Sequence, residues 1–150
     1  MIVKNEPYLI EYNVRMGDPE CQTILPKLET DLLEVFLACC NKKLDKINLK
    51  WSNKKSLCVV VCSEGYPEEF KKNVEITNIK KVNQNINEFL FHAGTTTLEN
   101  KIYAIGGRVL NFVCLSDDFA EAKKKIHKNI NQLDWPGGFY RKDIGNKVII

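Results

Sequence analysis

The run Leu-Cys-Val-Val-Val-Cys at residues 57–62 constrains the fold most strongly, because it offers no polar face that could turn toward water. β-Branched residues favour extended backbone, so this run predicts a well-buried strand. Farther along, apolar residues spaced for one helical face predict a helix over residues 119–133, capped by Ser116 or Asp117. Strands mixed with helices in this way indicate an α+β fold.

Shorter patterns predict the remaining elements. Alternation predicts a strand over residues 8–15. A helix is then expected with Asp18 as its N-cap and Pro19 at its first position, and Pro26 should interrupt or end it. Thr30 or Asp31 should begin a second helix that continues to Cys40. Further strands are predicted over residues 75–79, 89–93, 102–115 (broken by two glycines at 106–107) and 139–141.

Composition narrows the classes of function. A chain of 150 residues fits one domain, or one domain plus part of another, and a net charge of +3 gives no sign of a nucleic-acid partner. No apolar run approaches the roughly 18 residues that cross a bilayer, and the first residues lack a signal-peptide pattern. The six cysteines contain no C-x-x-C pair, which favours reduced thiols over a zinc site. We therefore expect a cytoplasmic protein with no nucleic acid and no membrane among its partners.

The basic residues are uneven in type. Of the 22 basic residues 19 are Lys, and only Arg15, Arg108 and Arg141 are Arg. Lys serves wherever a bare positive charge suffices, so each Arg marks a position where the planar guanidinium can matter for its geometry. The Lys-rich segment 41–55 has two interpretations, a solvated connection, which we favour, and a binding patch.

The first predicted strand carries polar side chains on one face. Alternation places three of them on the same side: Glu11, Asn13 and Arg15. The apolar residues between them form the opposite, core-facing side: Ile10, Tyr12 and Val14. Carboxylate and amide oxygens are ligands that Mg²⁺ accepts beside waters and phosphates, and a guanidinium can clamp a phosphoryl oxygen. The alternative is the solvated outer face of a half-buried strand, which the short spacing by itself favours.

Four sequence blocks, taken in order, resemble one enzyme family. The blocks are Glu-Tyr-Asn-Val-Arg-Met-Gly-Asp-Pro-Glu-Cys-Gln (11–22), Phe-His-Ala-Gly-Thr (91–95), Gly-Gly-Arg-Val-Leu (106–110) and Phe-Tyr-Arg-Lys-Asp-Ile-Gly (139–145). Together they resemble the glycinamide ribonucleotide synthetase (phosphoribosylamine–glycine ligase) family of ATP-grasp enzymes. The Glu-x-Asn-x-Arg pattern is shared across ATP-grasp ligases, whereas the ordered set of four blocks is specific.

The resemblance implies a reaction and roles for the first block. Enzymes of this family use ATP to join glycine to 5-phosphoribosylamine through glycyl phosphate, in purine biosynthesis. Glu11 and Asn13 would then hold Mg²⁺ or Mn²⁺ with the ATP phosphates. Arg15 and Asp18 become catalytic candidates, Arg15 facing the acyl phosphate. Gly17 and Asp18 would hold glycine, although Asp18 fits the sequence equally well as a plain N-cap.

The later blocks supply candidates for substrate binding, each with a structural alternative. His92 is either a substrate-side residue or a structural side chain. Gly106 and Gly107 interrupt a strand, which requires that a ligand or another backbone approach closely. Arg108 is expected to face the substrate, and its alternative is a β-bulge with the guanidinium stacked on an aromatic ring. Arg141 is expected to pair with a carboxylate near the C-terminus.

The resemblance extends only to the C-terminal portion of the family's enzyme. It implies the end of an ATP-grasp domain, a strand plus helices, over residues 1–45. A small mixed β-sheet C-terminal domain with one or two packed helices would follow over residues 46–150. Because the sequence has no Gly-rich phosphate loop, we expect Met1 to correspond to an internal position. ATP, glycine and 5-phosphoribosylamine would then need the missing N-terminal part as well.

Two other interpretations remain open at this point. The chain could be a non-catalytic remnant of the enzyme, folded but inactive. A weaker third interpretation is a basic module that binds RNA or a partner protein, which the modest net charge disfavours.

Overall fold

A computed structural model describes residues 1–82 and 85–149. Its nine strands are β1 (Ile2–Val3), β2 (Glu6–Pro7), β3 (Lys55–Ser63), β4 (Val74–Ile76), β5 (Glu88–His92), β6 (Thr95–Leu98), β7 (Lys101–Ala104), β8 (Arg108–Ser116) and β9 (Gly138–Phe139), counted over those ranges. The helices in the same ranges are α1 (Glu20–Ile24), α2 (Leu32–Cys40) and α3 (Phe119–Ile130). Three antiparallel sheets result, with strand orders β1-β2, β5-β8-β3-β9 and β4-β7-β6. The α+β fold is confirmed.

The main core lies between α3 and one face of the four-stranded sheet. Alternate residues of β3 point to this side and pair in register with alternate residues of β8: Leu57 with Cys114, Val59 with Phe112, Val61 with Leu110. From α3 the core receives Ala122, Ile126 and Ile130. The predicted strand over residues 57–62 is therefore confirmed as the buried centre of the fold.

The helix α3 is shorter than its predicted span. The cap predicted at Ser116 or Asp117 is wrong, because the Asp118 side chain accepts from the N–H groups of Ala120 and Glu121 at 2.5 and 3.0 Å. The predicted end at residue 133 is also wrong. The N–H groups of Gln132 and Leu133 donate to carbonyls only three residues back, so the last turn tightens. The side chain of Leu133 still packs on the core.

The strand predicted over residues 8–15 is wrong for this structure. β2 ends at Pro7, and within residues 1–82 and 85–149 no strand pairs with the segment that follows. A lone strand leaves its N–H and C=O groups without partners and is not stable by itself. The side chains predicted to face the core are consequently exposed: Ile10, Tyr12 and Val14.

The next two helices follow the predicted pattern, with two corrections. α1 begins at Glu20, so Pro19 lies at the N-cap position and not at the predicted first helical position. Asp18 is therefore not the cap, and its carboxylate is engaged elsewhere. α1 ends at Ile24, and Pro26 lies in the 3-10 turn that follows, as expected. Asp31 caps α2 as predicted, since its side chain accepts from the N–H of Leu33 at 2.8 Å.

The remaining predictions hold with shifted ends. The segment predicted over residues 102–115 divides into β7 and β8 around the two glycines, and β4 and β9 are shorter than the strands predicted there. The Lys-rich stretch 41–55 is a largely exposed connection, as favoured. None of the described helices is long and apolar enough to pass through a lipid bilayer.

Candidate functional site

The end of β3 at Cys62 brings the four sequence blocks together. Cys62 pairs with Arg108 on β8 and with Phe139 on β9. The carbonyl of Arg108 accepts from the N–H of Gly94 at 3.0 Å. The Arg108 guanidinium reaches Asp18, with Nε 3.2 Å from a carboxylate oxygen. Asp18 and Arg108, which are 90 residues apart in the sequence, therefore meet at this strand end.

The predicted polar row lies in the irregular segment between β2 and α1. Asn13 Nδ2 donates to Glu11 Oε1 at 2.9 Å, and Arg15 Nη1 donates to Asn13 Oδ1 at 3.3 Å. The same Arg15 nitrogen donates to the carbonyl of Met16 at 3.1 Å. All three side chains are exposed. The carboxylate, the amide and the guanidinium are thus adjacent in the predicted order, although the strand expected to align them is absent from the described segment.

The donor set of this row suits one kind of metal ion. Across residues 1–82 and 85–149, no group of three or more His, Cys, Asp and Glu residues could enclose a metal. Mg²⁺ commonly keeps several waters and binds one or two protein ligands together with substrate phosphates. Glu11 and Asn13 supply hard oxygen atoms that solvent reaches. The chemistry of these residues fits a divalent cation that is shared with phosphates, and metal binding by them stays a prediction.

The turn after the row is fastened to the sheet by Arg108. Besides its ion pair with the Asp18 carboxylate, the guanidinium donates to the Asp18 carbonyl at 3.4 Å. Asp18 also accepts from Gln22 Nε2 at 2.8 Å, and the N–H of Gly17 donates to Glu20 Oε2 at 3.0 Å. The groups predicted to hold glycine therefore have partners inside the protein, and their role toward glycine stays a prediction.

The structure shows one part of the structural alternative given for Arg108, and its substrate-facing role stays a prediction. The β3–β8 register shifts between Val61 and Cys62, so the predicted bulge is present. The guanidinium pairs with Asp18 instead of stacking on an aromatic ring. This charge lies close to Cys62, whose thiol pKa is raised by burial and partly lowered again by Arg108.

The two cysteines on this side of β3 are protonated at neutral pH. Burial raises the pKa of Cys58 to about 12, and a weaker contribution in the same direction comes from the negative charge of Asp18. Burial also raises the pKa of Cys62. Because the thiolate is the reactive form of cysteine, neither side chain is suited to act as a nucleophile.

Neighbouring parts of the protein explain why the two residues before Arg108 are glycines. A Cβ atom on Gly106 would lie 2.9 Å from the Cα of Gly94, and one on Gly107 would lie 2.2 Å from the Tyr66 ring. The hydroxyl of Ser63 donates to the Gly106 carbonyl at 2.8 Å and fixes this loop. The close approach that the sequence required is thus made by backbone and by an aromatic ring, and substrate binding by these glycines stays a prediction.

His92 and Arg141 lie at the margins of the site. His92 is exposed at the end of β5, and its Nδ1 is 3.0 Å from the hydroxyl of Thr95. This contact satisfies one ring nitrogen and leaves the substrate-side role of His92 a prediction. Arg141 Nε donates to Asp143 at 3.0 Å, which confirms the predicted pairing with a carboxylate near the C-terminus.

Sequence reasoning missed an apolar cleft beside this strand end. The cleft has a volume of about 340 Å³, and its lining includes Pro19, Val60, Cys62, Tyr66, Phe139 and Tyr140. Its floor is the second face of β3, which faces away from α3. Both faces of β3 are apolar, so alternation carries no signal there, and the Gly-Tyr-Pro sequence at 65–67 indicates only a turn.

Comparison with known proteins identifies the family. The model of the phosphoribosylglycinamide synthetase C domain matches residues 56–147. The chain belongs to this family. The phosphoribosylamine–glycine ligase of Caldanaerobacter subterraneus is 42% identical to it over 144 residues, 96% of this chain and 34% of that protein. The ligase named chloroplastic in Arabidopsis thaliana is 42% identical over 145 residues, 95% of this chain and 27% of that protein.

A solved structure agrees with the family assignment. The crystal structure of phosphoribosylamine–glycine ligase from Thermotoga maritima superposes with a TM-score of 0.73 at 28% sequence identity, covering 97% of this chain and 35% of that one. The chain therefore spans about a third of the length of these bacterial relatives. The resemblance drawn from the four sequence blocks is confirmed.

Disruption of the Asp18–Arg108 ion pair in this synthetase C-domain chain should lower its stability by a small amount that depends on salt. Both side chains are more than a third exposed, so we expect a coupling energy of about 0.5 kcal/mol that shrinks at 1 M salt. A double-mutant cycle of Asp18→Ala and Arg108→Ala, read from urea unfolding, measures it.

The Asp45–Lys46 pair is the matched control for this cycle. Its atoms are 3.7 Å apart and its side chains are 69% and 75% exposed, so its coupling should be close to zero. Equal couplings for the two pairs would show that Arg108 does not fasten the turn.

Proposed function

We propose that this chain is the C-terminal part of an ATP-dependent carbon–nitrogen ligase that joins glycine to 5-phosphoribosylamine in de novo purine biosynthesis. Glycinamide ribonucleotide, ADP and phosphate are the products. Family membership and the names of the relatives support the proposal. The observation that carries it is the hydrogen-bonded row of Glu11, Asn13 and Arg15, which has the chemistry to hold ATP phosphates.

The reaction proceeds in two steps in this proposal. A glycine carboxylate oxygen attacks the γ-phosphorus of ATP, which gives glycyl phosphate and releases ADP. The amine of 5-phosphoribosylamine then attacks the acyl carbon, and phosphate leaves. Each step builds negative charge on oxygen atoms that must be bound and oriented.

The residues of the row divide this work. Glu11 and Asn13 would hold Mg²⁺ or Mn²⁺, and an ion bound there would supply positive charge to the transferring phosphoryl group. Arg15 is exposed and retains guanidinium donors beyond its bonds to Asn13 and Met16, so it can donate to the acyl phosphate. Arg108 positions Asp18 beside the row through their ion pair.

The same proposal assigns roles to the other parts of the chain. Residues 1–45 end an ATP-grasp domain, residues 46–150 form the C-terminal domain, and the protein acts in the cytoplasm. Gly17 and Asp18 serve glycine, whereas His92, Gly106 and Gly107 lie on the substrate side. ATP, glycine and 5-phosphoribosylamine bind in the complete enzyme.

A chimera tests the proposal directly. This chain replaces the matched third of the Caldanaerobacter ligase, and ADP release is measured with ATP, Mg²⁺, glycine and 5-phosphoribosylamine. We expect turnover that requires every substrate, and negligible turnover by the 150-residue chain alone. A folded chimera without turnover would support the alternative, a non-catalytic remnant. Turnover by the chain alone would contradict its dependence on the rest of the enzyme.

A further inference from the structure

A second cleft lies at the start of β3, at the end of that strand far from Cys62. It has a volume of about 400 Å³, which is within the range of small-molecule sites. Lys55 and Cys62 are separated by roughly 20 Å along β3, so this cleft is distinct from the Asp18–Arg108 pair. We call it the Lys–Trp cleft, and its lining includes Lys27, Trp51, Lys55, Ser56 and Phe119.

Two aromatic rings border the Lys–Trp cleft. Trp51 is 44% exposed, although its backbone is fixed by an antiparallel bridge to Leu28. Phe119 is the first residue of α3, and part of its side chain packs on the core. An aromatic ring on a fixed backbone that solvent reaches is suited to stack on a second flat, aromatic group.

Two lysines give the cleft positive charge. The Lys55 ammonium lies 5.6 Å from the centroid of the Phe119 ring, and Lys27 is half-buried in the wall. Across residues 1–82 and 85–149, neither lysine forms an ion pair, and no carboxylate lines the cleft. Ammonium groups without a counter-charge favour an anion beside them.

Ser56 adds an unsatisfied hydroxyl to the same wall. Its Oγ atom is buried and has no hydrogen-bond partner in the part of the chain that the structure describes. A buried polar atom without a partner costs free energy, which a hydrogen bond to a bound molecule would recover. Since a hydroxyl both donates and accepts, Ser56 can bond to a sugar hydroxyl or to a phosphate oxygen.

We propose that the Lys–Trp cleft binds a nucleoside monophosphate, with its base on Trp51 and its phosphate between Lys27 and Lys55. A simple anion would leave the aromatic faces unused, and an uncharged aromatic molecule would leave the lysines unused. The volume of about 400 Å³ suits one nucleotide. A net charge of +3 gives little attraction for a longer nucleic acid. This site is additional to the row of Glu11, Asn13 and Arg15 and does not rest on the function proposed for it.

Tryptophan fluorescence of the 150-residue chain, titrated with AMP, tests the inference. EDTA is present, so that no divalent cation can hold a phosphate at the polar row. We expect saturable quenching by AMP and by GMP, and at least about 10-fold weaker binding of adenosine and of inorganic phosphate. Trp135 is only 7% exposed, so the quenching should come from Trp51 and should be absent in Trp51→Phe.

Calorimetry with AMP measures the affinity of the variants. Trp51→Ala and Lys27→Ala should each weaken binding at least about 10-fold, because one removes the stacking surface and the other removes a charge. Lys124→Ala removes an exposed charge from α3 outside the cleft, and should change the affinity less than about twofold. Ser56→Ala should weaken binding without lowering the Tm of the free chain, because it removes a hydroxyl that has no partner.

Several outcomes would overturn the inference. They are no saturable binding by the folded chain, and AMP binding that is unchanged in both Trp51→Ala and Lys27→Ala. Equal affinities for AMP and inorganic phosphate would reduce the cleft to a simple anion site, and much tighter binding of an oligoribonucleotide would identify an RNA strand as the ligand instead. AMP binding by a chimera that lacks ligase turnover would support the site and would count against the proposed catalysis alone.

Discussion

Alanine at Glu11 or at Asn13 should reduce glycine-dependent ADP release by the chimera at least about 100-fold. Either change removes a hard oxygen that orients the ATP phosphates in the proposed mechanism. The remaining ligand should hold Mg²⁺ more weakly, so residual turnover should need higher Mg²⁺ concentrations. Initial rates of ADP release, measured over a Mg²⁺ titration, give both the residual turnover and its dependence on Mg²⁺.

The same substitutions should leave the fold intact. Both side chains are exposed, and within the described part of the chain their hydrogen bonds join them only to each other and to Arg15. The free energy of unfolding should therefore change by no more than about 0.5 kcal/mol. Glu34→Ala removes an exposed carboxylate from α2 and should leave turnover and Mg²⁺ dependence unchanged. Turnover within twofold of the unaltered chimera for both Glu11→Ala and Asn13→Ala would contradict the metal-ligand assignment.

Local sequence signals predicted the elements whose partners lie inside the chain. The apolar run at residues 57–62 became β3, and the glycines at 106–107 ended β7 before β8. Asp31 capped α2 because capping depends on neighbours only two or three residues away. Such signals work when the stabilising contacts are either local or supplied by the same core.

Prediction failed where the deciding contact is distant in sequence. Alternation over residues 8–15 predicted a strand, but a strand also needs a partner backbone, which the described residues do not supply. Asp18 has the chemistry of an N-cap, yet Arg108 engages its carboxylate from 90 residues away. No local pattern distinguishes these two fates for an aspartate before a proline.

The candidate site likewise has one part that the sequence predicted and one part that it did not. The row of Glu11, Asn13 and Arg15 was predictable, because residue type and spacing alone define it. The cleft beside Cys62 was not, since it forms from segments around β3, Tyr66 and β9 that meet only in the folded chain. The glycines were predicted to face a close neighbour, but the sequence could not say whether that neighbour was a ligand or the protein itself.

Gly94→Ala should destabilise the chain by about 3 kcal/mol. An added Cβ atom would lie 2.7 Å from the Arg108 carbonyl oxygen, 2.7 Å from the Gly106 Cα and 2.9 Å from the Gly106 nitrogen. All three are backbone atoms, so no side chain can rotate away to make room. Relief requires that the end of β5 and the start of β8 separate, which also strains the hydrogen bond from Gly94 to Arg108. Urea unfolding of the 150-residue chain measures the loss.

Gly137→Ala is the matched control for this prediction. Its Cβ atom would meet Trp135 at 3.6 Å and Val74 at 3.8 Å, which is ordinary van der Waals contact. The free energy of unfolding should therefore change by less than about 1 kcal/mol. Equal decreases in the free energy of unfolding for Gly94→Ala and Gly137→Ala would show that the contact of Gly94 with Gly106 is not tight in solution. A loss of stability for Gly94→Ala alone would have a structural meaning for two of the sequence blocks. The glycines beside His92 and before Arg108 would then be required because the two backbones cross there at close distance. That crossing holds Arg108 where it can reach Asp18, so packing at Gly94 supports their ion pair.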